Sequence, residues 1–239
     1  MNAKIFYDST AERYDERHNN ARTKYMRALE NKLIKKYAFG KVLDIGCGTG
    51  QHLDKSDIGL DVSLPILTEA RKKGHSMLVQ SKAEELPFAD NCFDSVLCIF
   101  TVLNLCDYNE AVKEMHRVLK KNGIAVVSAA SIWDHSKDNL FKRLAKRKSH
   151  TLKMRIEKSR FRFFVFNKTD LIKIFTENNF RLVRFRGLYT LAKPYWGWHR
   201  DHSFSDRVKL HIAFSLESLL QPLNKSARMY FGVFQKKEN

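Results

Sequence analysis

Residues 41–50 read KVLDIGCGTG: an apolar run presents an acid, Asp44, and gives way to three glycines, Gly46, Gly48 and Gly50, within five residues. Glycine tolerates backbone conformations closed to other residues, and it lets a ligand approach main chain that a Cβ would keep away. A chain that places such a turn at the tip of a buried strand commits that tip to close contact.

The segments around it alternate in period. Spacing predicts a helix over 23–39, with Tyr25, Met26, Leu29, Leu33, Ile34 and Tyr37 on one face and Gly40 ending it. Strands are expected at 41–45, at 57–63 ending on Asp61, at 76–81, at 93–100 and at 124–130. A helix follows Ser63, with Pro65 in its first turn and Gly74 stopping it. Another spans 108–123, with Ala111, Val112, Met115, Val118 and Leu119 inward and Gly123 as terminator. The strands are apolar runs without clear alternation. That pattern predicts an α/β fold with a doubly wound, mostly parallel sheet and helices on both faces. Ligands of such sheets sit beyond the carboxyl ends of the strands. The residues to watch are therefore Asp44–Gly50, Asp61, Ser81–Glu84, Thr101–Asn104 and Ser131–His135.

After residue 135 the composition changes: residues 135–160 hold ten Lys or Arg against two acids, and Leu140, Phe141, Leu144 and Ala145 fit one helical face. A strand at 161–166, a helix at 168–179 and a strand at 180–188 follow. Then come an irregular aromatic stretch, a helix at 207–220 and a last strand at 227–237. No repeat or Pro/Gly-rich linker divides the chain. It is expected to be a single domain over 1–239, with an N-terminal helical cap (1–40), a basic insertion (135–160) and a second, acceptor-side insertion (189–226).

The chain has 239 residues, 44% of them hydrophobic, with 17 Phe, enough for a substantial core. Its 43 Lys and Arg against 26 Asp and Glu give a net charge of +17, which favours a polyanionic partner or is simply solvated. Cys47, Cys92, Cys98 and Cys106 show no metal-ligand spacing, so reduced thiols and no metal are expected. The start lacks a signal-peptide core and no apolar run is long enough to cross a bilayer, which predicts a soluble, cytoplasmic protein.

The glycine spacing is GxGxG, not the GxGxxG of dinucleotide sites, and Asp44 stands in the same turn. A carboxylate there repels a pyrophosphate but suits a ligand with an amino group and a sulfonium. Asp61, ending the next strand, suits two ribose hydroxyls. The ligand implied is S-adenosylmethionine (SAM).

VLDIGCGTG, GLDVS, AEELPFADNCFDSVLC and EMHRVLKKNG, in that order, resemble a class I SAM-dependent methyltransferase, which implies a Rossmann-like fold with a seven-stranded sheet. The group that contains the ubiquinone/menaquinone-biosynthesis C-methyltransferases is the most similar, and FYDSTAERYDERH resembles its N-terminal segment. The resemblance covers roughly residues 5–130. It implies that Asp44 and Gly46 border the methionine portion, that Gly48 and Gly50 complete the turn, and that Asp61 binds ribose, with Cys47 also among the cofactor-binding residues. Leu60 or Val62 then flanks adenine, and Thr101 lies beside the sulfonium. The family usually has an acid where this chain has Lys82, which accepts no hydrogen bond. Adenine is therefore expected on backbone at Ala83, helped by Ser81 or Glu84.

Methyl transfer needs alignment and exclusion of water, and a base only for a protonated nucleophile. The catalytic residue is accordingly left open, with Tyr14, Asn104 and His135 as candidates. Tyr7 joins Tyr14 in a segment able to close over the cofactor, and His116 reads as structural. Trp196, Trp198, His199 and His202 suit either loop packing or an acceptor lid. A small-molecule or lipid-like acceptor leads. Lys142, Arg143, Lys146, Arg147 and Lys148 keep RNA or an anionic membrane surface open as partners, with Leu140, Phe141 and Leu144 dipping inward in the membrane case. A noncatalytic binding protein on the same fold is the alternative of another class.

Overall fold

Strand β1 (Val42–Ile45) lies in the interior of a seven-stranded sheet whose order is β3-β2-β1-β4-β5-β9-β8. The structure is a computed structural model and describes residues 3–133, 148–156, 159–189, 212 and 227–238. Around β1 run β2 (Ile58–Asp61), β3 (Leu78–Gln80), β4 (Phe93–Cys98) and β5 (Leu119–Ala130), all parallel. Beyond β5, β9 (Met229–Lys236) is antiparallel, and β8 (Phe180–Leu188) pairs antiparallel to β9 at the edge. The expected doubly wound sheet is thus found.

Strand alternation divides the core in two. Leu43, Ile45, Val96 and Cys98 pack with Ala111, Val112, Met115 and Val118 of α6 (Tyr108–Val118) and with Leu171 and Phe175 of α7 (Lys168–Glu177). Val42, Leu97, Ile99 and Val126 point the other way, onto Met26, Leu33 and Ile34 of α3 (Ala21–Tyr37). Helix ends are set by local chemistry. Asn20 accepts from the Thr23 amide at the start of α3, Ser63 accepts from the Ile66 amide at the start of α4 (Leu64–Lys72), and Asp107 caps α6.

Two sequence readings need correction. Helix α6 ends at Val118, five residues before Gly123, because Leu119 is already extended and pairs with Phe93 in β5. Asn122, at φ 61, makes the left-handed step. Gly123 is small for another reason: a Cβ there would sit 2.9 Å from the Lys120 carbonyl. The strand expected at 161–166 also begins earlier, at Ser159, and does not join the seven-stranded sheet. His150–Ile156 form β6, which pairs antiparallel with β7 (Ser159–Val165) in a two-stranded ribbon. Leu140, Phe141, Leu144, Lys142, Arg143, Lys146, Arg147 and His135 lie outside the described residues, as do Trp196, Trp198, His199 and His202. Lys148 is described and exposed. No helix among the described residues is long and apolar enough to cross a membrane.

One buried acid weakens the core. Glu30, on α3, is fully buried, and burial pushes its carboxyl up to about 8; the opposing pull of Ser128, Tyr189 and Arg27 is smaller. Its Oε2 has no hydrogen-bond partner among the described residues, and the His52 Nε2 lies 3.8 Å away on an imidazole that burial holds down to about 4. An acid whose folded pKa is raised keeps a proton that the unfolded chain has already released, so this contribution to stability declines as pH rises from about 4.5 to about 8. Glu30→Gln is expected to melt higher than wild type at pH 8 and to lose that advantage at pH 4. Thermal denaturation at the two pH values checks it, and the gain is about 2–4 °C per kcal/mol of relief.

Candidate functional site

The carboxyl ends of β1, β2 and β4 open into a cavity of about 400 Å³, within the roughly 300–1,000 Å³ typical of small-molecule sites. Its lining comes from the strand tips expected from the sequence. Gly46 and Gly48 contribute from the glycine turn, Asp61 and Val62 from β2, Ser81–Glu84 from the loop after β3, and Thr101 from the end of β4. The N-terminal segment covers it: Lys4, Tyr7 and Tyr14 also line the space.

The three glycines serve different ends, although all have positive φ. Gly48 faces open space, with nothing within 4 Å of a would-be Cβ, and its amide donates to the Asp61 Oδ2 at 3.0 Å. Gly46 lines the cavity, but a Cβ there would strike the Val102 side chain. Gly50 is not part of the lining; a Cβ on it would strike the ring of His75. Cys47 likewise turns away, packing with Leu53 and Leu67 while its thiol donates to the Gly48 carbonyl. Both differ from their expected place beside a ligand. Gly48→Ala is therefore expected to cost only about 1–2 kcal/mol of stability, through its left-handed backbone. It should weaken cofactor binding far more, because the new methyl enters the cavity; denaturant titration beside equilibrium dialysis separates the two.

Two acids dominate the electrostatics. Asp61 accepts from the Gly48 amide through Oδ2 and from the Ser63 amide (2.9 Å) through Oδ1, which fixes its carboxylate at the cavity wall. Burial raises its pKa against those hydrogen bonds. Asp44 is 1% exposed and lies behind the lining; its Oδ2 has no hydrogen-bond partner among the described residues. Burial, and then the charges of Asp61 and Asp57, raise its pKa well above the ordinary carboxylate value. Two raised acids and an unpartnered oxygen describe a site short of positive charge. An ammonium and a sulfonium supply what is missing, so the residues fit the cofactor implied by the sequence.

The cover is tied down by polar contacts. Asp8 of α1 (Ala3–Thr10) accepts from the Ser63 hydroxyl at 2.6 Å, so the first helix is fastened to the residue beside Val62. Asp15 accepts from the Thr49 hydroxyl and the Gln51 amide, both at 2.8 Å, and pairs with Lys73. Tyr7 is half-buried and hydrogen-bonded to Thr101, and desolvation raises the pKa of both Tyr7 and Tyr14. At the far end the Ser81 hydroxyl donates to the Glu85 carbonyl, and Glu84 accepts from the Asp107 amide at 2.8 Å. Lys82 lines the cavity beside Ala83.

Asn104 does not face the cavity. It is 2% exposed; its amide donates to the Ala130 and Phe164 carbonyls and its oxygen accepts from the Ala130 amide. It joins β5 to the ribbon, which corrects its expectation as a residue that meets an acceptor. His116 rests edge-on against Phe180, away from the site. Sequence reasoning missed Phe100, which lines the cavity with φ 67. A bulky residue in the left-handed region is strained. It is held there by its amide's 2.6 Å bond to the Ser128 hydroxyl and by stacking on His52. Asp107 and Cys106, also in the lining, stood just past the strand end singled out from the sequence.

Residues 43–127 match the family described as "Methyltransferase domain". The chain is 40% identical over 138 residues to an uncharacterized protein of Methanocaldococcus jannaschii, MJ1252, covering 56% of this chain and 54% of that one. It is 40% identical over 124 residues to the demethylmenaquinone methyltransferase of Staphylococcus carnosus, covering 46% and 49%. The chain thus spans about half the length of the curated relatives it matches. Among solved structures, a SAM-dependent methyltransferase of Thermotoga maritima, described as a possible histamine N-methyltransferase, superposes with a TM-score of 0.63 at 18% identity over 98% of this chain and 99% of that one. The [4+2]-cyclase SpnF does so with 0.66 at 17% identity over 99% and 96%. Likenesses at these identities establish the fold. That one of them is a cyclase illustrates that the reaction must be argued from the site. The resemblance to class I methyltransferases drawn from the sequence is borne out, and SAM is the cofactor it implies.

Proposed function

We propose, from the premise that residues 43–127 are a methyltransferase domain, that the protein moves a methyl group from SAM to a small-molecule or lipid-like acceptor. The observation that carries this reading is the pair of raised acids at the tips of β1 and β2, one with an unpartnered oxygen, around a glycine turn open to a ligand. Asp44 is assigned to the ammonium end of the cofactor. Asp61, whose oxygens keep lone pairs beyond those used by two backbone amides, is assigned to the ribose hydroxyls. Leu60, Val62 and Ile66 offer an apolar wall for the adenine, with Ala83 opposite on the loop after β3.

Bound there, SAM supplies a methyl group on a positively charged sulfur that leaves as a neutral thioether. The chain's own work is to hold that carbon toward an acceptor and to keep water out. Tyr7 and Tyr14 close the roof, and their raised pKa keeps both phenols neutral, so they act as donors or acceptors of hydrogen bonds and not as anionic bases. Thr101 positions Tyr7. No basic side chain is assigned to deprotonate the acceptor. The acceptor class is supported by the named likeness to demethylmenaquinone methyltransferases.

Incubation with methyl-labelled SAM and, separately, lipid extract, small-metabolite extract and total RNA tests the reading. Label is expected in the lipid or small-metabolite fraction. Label in RNA alone contradicts the acceptor class, and label in none contradicts the activity.

A further inference from the structure

The ribbon of β6 and β7 has an electrostatic peculiarity. Its register places Lys153 opposite Arg162, a like-charge pair. Like charges directly across an antiparallel pair repel and destabilise it. Neither strand carries a carboxylate, and the hairpin's one acid, Glu157, falls between the strands, outside the described residues. Lys153 and Arg162 are exposed. The opposite face is occupied: Phe163, Val165 and Leu152 pack on Ala130, Ile132 and Trp133, so the ribbon is anchored with Lys153 and Arg162 left in solvent. An anionic surface outside the molecule is what relieves such a face.

The position of the ribbon narrows the choice of surface. It is bolted to the cavity's rim by the 2.5 Å bond from Asn104 to the Phe164 carbonyl, and α1 packs against β7. On the same rim stand two exposed aliphatic side chains, Ile5 at 49% and Leu64 at 56%. They are brought together because Asp8, one turn after Ile5, binds the hydroxyl of Ser63, the neighbour of Leu64. Lys4, the residue before Ile5, and Val62, two residues before Leu64, line the cavity. Cations together with aliphatics around one opening suit a bilayer surface, where the charges meet headgroups and the aliphatics enter the acyl boundary. A nucleic-acid backbone leaves Ile5 and Leu64 unexplained.

We infer that the β6–β7 ribbon, with Ile5 and Leu64, docks the rim of the cavity onto an anionic lipid surface, so that a lipid-like acceptor reaches the site from the bilayer. This inference takes its acceptor from the methyltransferase reading, but the docking surface stands on its own geometry. Flotation with vesicles of phosphatidylcholine carrying about a third phosphatidylglycerol, and with phosphatidylcholine alone, tests it. The protein is expected to float with the anionic vesicles, less so as salt rises, and not with the neutral ones. Lys153→Glu with Arg162→Glu should weaken flotation at least about tenfold, and the milder Lys153→Gln with Arg162→Gln by less. Ile5→Ser with Leu64→Ser should weaken it at unchanged charge. Calorimetry with SAM on each variant checks that the fold and the cofactor site are intact. Absence of wild-type flotation on anionic vesicles overturns the proposal. So does an unaffected Ile5/Leu64 variant whose flotation is abolished by total RNA, which identifies a polynucleotide surface instead. Flotation without SAM binding supports the surface and overturns only the cofactor reading.

Discussion

Asp61→Ala is expected to lower SAM affinity by at least about a hundredfold, measured by equilibrium dialysis with labelled cofactor. Hydrogen bonds to a charged group contribute about 1.5–3 kcal/mol each, and two ribose hydroxyls are assigned to this carboxylate. The loss is compounded within the protein. Asp61 accepts the Gly48 and Ser63 amides, so its removal also leaves the glycine turn and the cap of α4 without their acceptor. Asp61→Asn should fail nearly as badly for a geometric reason. Both carboxylate oxygens face backbone N–H donors, and the amide nitrogen of an asparagine must point at one of them. Cofactor affinity unchanged in Asp61→Ala means that the ribose lies elsewhere.

Asp44→Asn is expected to part stability from function. In the cofactor-free protein, burial and the neighbouring acids hold the Asp44 carboxyl in its protonated form to a pH well above the ordinary carboxylate range. The folded chain then holds a proton that the unfolded chain releases near pH 4, so this contribution to stability falls as pH rises from there through the folded pKa. The asparagine variant escapes that fall and should melt above wild type at neutral pH. It should bind SAM more weakly, because an ammonium drawn toward Asp44 favours the charged form that asparagine lacks. Binding to wild type must then release protons while Asp44 is still protonated in the free protein, and affinity should rise with pH until it has ionised. Calorimetric titrations in two buffers of different ionisation enthalpy measure that release. Wild type should show it and Asp44→Asn should not. Equal proton release from both proteins contradicts the assignment.

The sheet was legible because its strands are apolar runs and its turns are punctuated. Asp44 and Asp61 were legible because each stands at the carboxyl end of a strand, two residues before a glycine or a serine, and strand ends in such a sheet meet ligands. What failed was the sidedness of side chains. Cys47 and Gly50 sit in the same turn as Gly46 and Gly48, yet they face Leu53 and His75 instead of the cavity. Asn104 stands one turn beyond a strand end, where sequence cannot distinguish a ligand contact from a strut. Its deciding partner, the Phe164 carbonyl, lies sixty residues away in the chain. The ties from Asp8 to Ser63 and from Asp15 to Thr49 span 55 and 34 residues and escaped notice for the same reason. Phe100 was missed because its strained backbone is held by Ser128 and His52, which belong to other elements. Gly123 was read as a helix stop on residue type alone, whereas the close approach of the Lys120 carbonyl explains it.

The claim under all of this is that the cleft at the tips of β1 and β2 receives a cationic, sulfur-bearing nucleoside. Calorimetric titration of the wild-type protein with SAM, beside a titration with NADH, tests it most directly. One saturable site for SAM and no heat of binding for NADH is the expected result. A silent SAM titration, or saturable binding of NADH in its place, contradicts the account.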